Sequence, residues 1–200
     1  MDAALAAGVS RFVQESFAPM YPDCGGEWID EAVPPHPARY NRSTLDAERS
    51  AARFTHAGGT GVVLRYAGFY GPDAAHVPDL IRFTRRGMSA LPGSPDAYFS
   101  SVSHDDAASA AVAALGVPAG IYNVADDDPP TRAEIDAALA AVVGRDALRP
   151  PVDEVPPELE PLSRSQRVSS RKLQEATGWT PRVRAGTDGW RLTAEEAWAA

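Results

Sequence analysis

One cysteine, one lysine and no long apolar run mark what this 200-residue sequence lacks. With Cys24 alone, no disulfide can form inside the chain, which points to a reducing compartment. No stretch is apolar for the roughly 20 residues that a membrane-spanning helix needs, and no charged-then-apolar leader follows Met1. These absences read as a soluble, cytoplasmic protein. Positive charge is short too: 19 Lys and Arg face 27 Asp and Glu, a formal net charge of −8. That balance argues against nucleic acid or an anionic membrane as a partner. Lys172 is the only lysine, which an arginine- and alanine-favouring base composition explains. His36, His56, His76 and His104 have no paired spacing, and with one cysteine no metal site is expected. A glycine-rich turn leading from strand to helix is also missing. Gly58-Gly59-Thr60-Gly61 comes nearest, but it follows a helix, opens a strand and has Leu64 in the place of a third glycine. It reads as a helix stop and a tight turn.

What is present is ordinary globular composition, 44% hydrophobic and 23% charged, in a length that suits one domain with a substantial core. Periodicity predicts strands at 11–14, 61–66, 98–102 and 121–124. It predicts helices over 40–56, 77–86, 104–115, 131–143, 169–177 and 193–198, after a last helical turn at 2–7. Thr131 with Glu134 three residues on is a capping box. The stretches 19–37 and 149–161, rich in proline, read as loops, as does 67–72. Strands alternating with helices imply an α/β fold with a mostly parallel sheet.

The chemistry-bearing stretch runs from Arg39 to Glu48. Tyr40 opens a predicted helix and Thr44 lies four residues on, so both face one way. A tyrosine that trades protons near neutral pH needs help, because its ordinary pKa is about 10. A lysine one turn later would give that help, and Thr44 carries no charge. Ser16 ends the strand before Tyr40, and ligands of open parallel sheets gather at such strand ends. Ser16 lacks the flanking glycines of a hydrolase nucleophile. His104-Asp105-Asp106 reads as helix capping, and Asp126-Asp127-Asp128 as a solvated turn.

The order Arg11-Phe12-Val13-x-x-Ser16, Tyr21, Asp30-Glu31 and Pro37-x-x-Tyr40-x-x-Ser43-x-x-x-x-Glu48 resembles the extended short-chain dehydrogenase/reductase family. That family includes the NAD-dependent sugar epimerases and dehydratases. Leu64 to Pro72, Val102 to Ala108, Gly120 to Val124, Thr131-x-x-Glu134, and Lys172-Leu173 with Gly178-Trp179-Thr180-Pro181 follow in the family's order.

The resemblance implies a partial Rossmann-like, doubly wound parallel sheet, with a small C-terminal α/β substrate-binding region. Residues 1–75 would be the remaining cofactor-binding part and 76–200 mainly the substrate region, with a strand near 121–124 returning to the sheet. It implies Tyr40 as the catalytic tyrosine with Ser16 beside it, although counting back from Tyr21 puts the family's hydroxyl at Phe17 instead. NAD or NADP would contact Tyr40, Thr44, Tyr66, Ala67, Gly68 and Phe69. Met88 and Arg167 would face a small-molecule substrate, a nucleotide sugar or carbonyl compound. The Tyr40 helix would pack in a homodimer.

Two departures from the family stand out. Thr44 replaces its lysine. The family's first half, roughly 100 residues carrying the glycine-rich turn, is not among these 200 residues, so Met1 reads as an internal methionine of a longer protein or the start of a truncated gene. Three readings follow: an NAD(P)-dependent oxidoreductase or epimerase/dehydratase, a catalytically impaired dinucleotide-binding or interaction protein, or a truncated fragment without function.

Overall fold

The structure, a computed structural model, describes residues 2–89, 91–149, 154–183 and 188–199. In chain order, α1 (Asp2–Ala6) leads into β1 (Arg11–Phe17), the short β2 (Trp28–Ile29), α2 (Ser43–His56) and β3 (Thr60–Tyr66). Then come β4 (Gly68–Tyr70), α3 (Val77–Arg85), β5 (Ser101–Ser103), α4 (His104–Ala113) and β6 (Gly120–Val124). The chain closes with α5 (Arg132–Val142), α6 (Glu160–Ser163), β7 (Arg167–Val168), α7 (Arg171–Thr177) and α8 (Trp190–Ala199).

The main sheet is parallel, in the order β1-β3-β6. Register makes the three strands end level: Phe17 pairs with Tyr66, and Tyr66 with Val124. β3 lies in the middle and is buried on both faces, as its apolar run dictates. Side chains alternate across a strand. Val62, Leu64 and Tyr66 therefore meet Ala107, Ala110, Leu173 and Trp179 on one face. Burying each aliphatic side chain contributes about 2 kcal/mol.

The other face is covered by α2, which places Glu48, Ala51 and Phe54 inward. Gly61 permits that contact, since a Cβ there would lie 2.2 Å from the Ala51 carbonyl oxygen. Gly58 turns the chain back with φ +95°, a conformation glycine adopts without strain. The glycine run is thus a helix stop and a close approach. Two small parallel pairs, β4-β5 and β2-β7, carry the chain away from the sheet. A second apolar cluster joins α3, α5 and α8, with Tyr70 and Trp190 stacked at 5.3 Å between ring centroids. Among the described residues β1 pairs only with β3, so its outer edge carries no ladder.

Several expectations shift. Tyr40 does not open α2. It sits in a separate 3-10 turn, Arg39–Asn41, and the α-helix begins at Ser43. The strand expected at 98–102 shortens to Ser101–Ser103, since Tyr98 and Phe99 form isolated bridges to Thr131 and Gln166 instead. β2 and β4 are two and three residues long, too short to register as a period in the loops predicted there. α6 ends the proline-rich stretch, of which 150–153 lie outside the described residues.

Candidate active site

Each strand of the sheet is followed by a buried alanine: Ala18 after β1, Ala67 after β3 and Ala125 after β6. Small side chains there let the overlying segments come close. Tyr21, Ile29 and Val168 pack on these alanines and form one cluster. These residues form the floor of the crevice at the strand ends.

Below that floor runs a buried polar chain. The Ser16 hydroxyl donates to Glu48 Oε1 at 2.5 Å. Arg65 holds the same carboxylate from Nε and Nη2, both at 2.8 Å, and its Nη1 donates to the Tyr21 hydroxyl at 2.8 Å. The Tyr21 hydroxyl in turn donates to Asn123 Oδ1 at 2.8 Å, and the Asn123 backbone N–H donates to Glu31 Oε1 at 2.7 Å. Burial drives the Tyr21 pKa up despite Arg65. The carboxylate and phenol keep Arg65 firmly protonated against the cost of burying it. Ser16, Tyr21, Glu31 and Glu48 of the sequence pattern thus meet in one network, and Arg65 and Asn123 complete it. A lone arginine inside an apolar strand, at a position facing the helix that carries Glu48, was the available signal for that pair.

Tyr40 lies apart from this network. It is 57% exposed and borders a cavity of about 580 Å³ with Arg39, Pro157, Glu158 and Pro161. Among the described residues its phenol has no hydrogen-bond partner. Partial burial raises its pKa, the nearby Arg164 pulls it back, and Glu160 raises it again. Arg164 is tied to Glu160 through two 3.0 Å bonds and to the carbonyls of Tyr21 and His36, so most of its charge is already answered. Thr44 is half-buried and adds no charge. Next to Tyr40, Asn41 is 7% exposed, and among the described residues both polar atoms of its side chain lack a partner. The sequence reading passed over Asn41.

The remaining predicted residues scatter. Tyr66 is buried, its hydroxyl donates to the Ala107 carbonyl at 3.3 Å, and burial pushes its pKa up to about 12. Ala67 belongs to the strand-end cluster, and Gly68 starts β4. Phe69 packs between Tyr66 and His104, with centroids 5.4 and 5.7 Å away. Arg167 lies between the rings of Trp28 and Tyr98, its guanidinium carbon 4.2 and 4.8 Å from their centroids. Met88 bridges to Arg149 in the turn after α3. His104 Nδ1 meets Asp73 at 3.0 Å on the surface, while Ser103 caps α4 by accepting from the Asp106 N–H. Among the described residues, no group of three or more His, Cys, Asp or Glu is placed to hold a metal ion, and no helix is long and apolar enough to cross a membrane.

Comparison with known proteins follows the same lines. The model of the NAD dependent epimerase/dehydratase family matches residues 1–125. Comparison with curated proteins gives no match in sequence. Among solved structures, a UDP-glucose 4-epimerase of Thermus thermophilus, in complex with NAD, is 27% identical, with TM-score 0.78 over 100% of this chain and 67% of its own. RMD from Pseudomonas aeruginosa, complexed with NADPH, is 23% identical, with TM-score 0.77 over 100% of this chain and 70% of its own. The dTDP-glucose 4,6-dehydratase from Bacillus anthracis, with NAD, is 18% identical and shares the fold at TM-score 0.82, over 99% of this chain and 65% of its own. The chain spans about two thirds of the length of these structures.

Proposed function

We propose, for a chain that belongs to the NAD dependent epimerase/dehydratase family, that it supplies the proton-donating and substrate-facing part of an NAD(P)-dependent carbonyl reduction centred on Tyr40. The observation that carries this is the state of the Tyr40 phenol. Its pKa is raised by burial, and no lysine stands at position 44 to lower it. At neutral pH the group therefore holds its proton. It can give one to a carbonyl oxygen that gains negative charge, but it is poorly placed to take one from an alcohol. That favours reduction over an epimerase cycle, which needs the tyrosine to act in both directions.

The residues fit one end of the cofactor. Asn41 offers a buried, unpartnered amide beside Tyr40, suited to a carboxamide. NAD(P)H, when bound, would supply the hydride. The phosphate end fares worse: the helix that directly follows a strand, α4, begins with Asp105 and Asp106, and acidic side chains at a helix N-terminus oppose an anion there. Ser16 would assist only by giving up its bond to Glu48, so its role is to hold Glu48 and, through it, α2 below Tyr40. Arg167 and Met88 remain candidates for substrate contact. Arg167 has the better claim, as its Nε is buried with no partner. The substrate class is a carbonyl compound, including a keto sugar carried on a nucleotide, and a homodimer through α2 belongs to the same reading.

A second reading, a dinucleotide-binding or interaction protein with impaired chemistry, draws on Thr44 and on the unpaired edge of β1. One experiment separates the two. NADH and NADPH are titrated into the full chain by fluorescence, and turnover is then followed over UDP- and dTDP-linked keto sugars and simple ketones. The first reading expects binding and oxidation of the cofactor, with Tyr40→Phe binding but not turning over. Binding without turnover in either form supports the second. No binding below millimolar concentrations sinks the first reading and leaves of the second only an interaction protein.

A further inference from the structure

The two outer strands of the main sheet treat their edges differently. Thr60 donates to the Ser10 carbonyl and Ala67 to the Val124 carbonyl, and in a parallel ladder such bonds recur at every second residue. Phe12, Gln14 and Ser16 of β1, and Tyr122 of β6, therefore turn their main-chain groups toward β3. Arg11, Val13 and Glu15 of β1, and Ile121 and Asn123 of β6, turn theirs outward.

The β6 edge is closed by charge. Lys172 Nζ donates to the Ile121 carbonyl at 2.7 Å, and the Asn123 N–H donates to the Glu31 carboxylate at 2.7 Å. Charged side chains on an edge keep other strands off it, and the chain's only lysine is used there. The β1 edge has no such cover. Among the described residues the outward groups of Arg11, Val13 and Glu15 meet one side chain, the neutral amide of Gln14, which donates to the Glu15 carbonyl at 2.8 Å in a solvent-exposed contact. One face of β1 is open as well. α2 lies on the side of Phe12 and Ser16, through the Phe12–Phe54 ring contact at 5.8 Å and the Ser16–Glu48 bond. On the opposite side Glu15 is exposed and Val13 half-buried.

We propose that this edge pairs with the same edge of a second copy of the chain, antiparallel across a twofold axis at Val13. An interface of that symmetry needs a self-complementary surface, and β1 supplies one in this register. Val13 meets Val13 of the other copy, and Arg11 meets Glu15, twice. All three residues face outward, so each pair exchanges two main-chain bonds, about six in all. Arg11 Nη1 is held by the Val117 carbonyl at 2.7 Å, which leaves Nε and Nη2 as a fork for the carboxylate. Arg65 grips Glu48 with the same two nitrogens. An axis at Gln14 would set Arg11 against Phe17 and Glu15 against Val13, and an axis at Phe12 would set Arg11 against Val13. Opposite charges directly across strands stabilise a pair, and only the Val13 axis brings them together. The three-stranded sheet is thereby doubled into one continuous sheet. This contact is separate from any through α2 and does not depend on the chemistry at Tyr40.

Sedimentation equilibrium of the full chain tests this, with the unfolding midpoint of each variant as the check on folding. The parent is expected to have the mass of two chains. Glu15→Arg sets like charges against each other at both ends of the contact, and should dissociate at least tenfold more readily. Arg11→Glu combined with Glu15→Arg exchanges the charges and should restore the dimer, which a merely destabilising change would not do. Val13→Pro removes an outward N–H, spares the ladder to β3 and should give single chains. If either of the last two loses its fold, Glu15→Arg, made at an exposed side chain, still decides. A parent with the mass of one chain overturns the proposal and leaves the edge to another partner. A dimer unmoved by Glu15→Arg runs through another surface, such as α2, and overturns it too. A folded charge exchange that stays monomeric overturns the register.

Discussion

Ser16 and Glu48 are joined by a 2.5 Å hydrogen bond across the contact between β1 and α2, and the same Glu48 carboxylate is clamped by Arg65 from β3. One buried carboxylate thus ties two strands and a helix together beneath the strand ends. Arg65 and Glu48 are 3% and 9% exposed, so neither charge has water to fall back on.

Removing one partner of such a pair leaves the other charge buried and alone. Glu48→Ala is expected to destabilise the chain by about 3–5 kcal/mol. Ser16→Ala deletes a donor to a carboxylate that keeps its arginine and should cost about 1–2 kcal/mol. Urea unfolding of both variants checks the ranking. A Ser16→Ala loss as large as that of Glu48→Ala would mean that the hydroxyl, not the arginine, holds the carboxylate.

Much of the fold was legible because the signals were local. The β3 run, the Thr131–Glu134 box and the Gly58 stop each depend on residues within a few positions, and all three stand as read. The site was less legible, because its roles depend on contacts distant in sequence. Ser16 reads as a free hydroxyl at a strand end until Glu48, 32 residues on, is seen to accept its hydrogen bond. Tyr40 reads as the first residue of a helix, and the backbone sets it in a 3-10 turn just before that helix instead. Asn41 gave no signal at all, since a polar group without a partner among the described residues is defined by what surrounds it.

Tyr40 should answer to charge. Thr44→Lys places an ammonium about one turn away, and a nearby positive charge favours the phenolate. The phenol's pKa, raised in the parent chain, should fall toward or below its ordinary value of about 10. Ultraviolet titration at the phenolate band, with Tyr40→Phe as the reference, measures it. A proton-donating Tyr40 also predicts turnover that is flat through neutral pH and declines only above about 10, and the lysine variant should move that decline to lower pH. An unmoved titration in Thr44→Lys would show that the side chain at 44 does not reach the phenol.

The cap on α5 offers a cleaner energetic test. Thr131 accepts from the Glu134 N–H, and the Glu134 carboxylate reaches back to the Thr131 N–H at 2.7 Å. Thr131→Ala should cost about 1 kcal/mol, because one orphan donor at the helix start loses its acceptor. Thr131→Ser restores the oxygen and should recover most of the loss. Thermal unfolding resolves both, and an equal loss in Thr131→Ser would place the effect in the threonine methyl group rather than in the cap.

Alkaline stability follows from the buried tyrosines. Tyr66 is 7% exposed, and burial moves its pKa from 10.0 to about 12. Tyr21 and Tyr70 are raised as well, first by burial, with Asp126 and Asp106 adding to the rise for Tyr70. An acid whose folded pKa exceeds its unfolded value holds its proton more tightly when folded. Its contribution is complete below the unfolded value of about 10 and drains away as pH rises through the folded value. For Tyr66, two pH units correspond to a loss on the order of 3 kcal/mol by pH 12. Urea unfolding between about pH 8 and 12 should therefore show a plateau and then a steep decline beginning near pH 10. Tyr66→Phe gives up the 3.3 Å bond to the Ala107 carbonyl and starts slightly less stable, but its decline should be visibly shallower. Parallel curves for the two proteins would mean that the Tyr66 phenol ionises in the folded state as easily as in water.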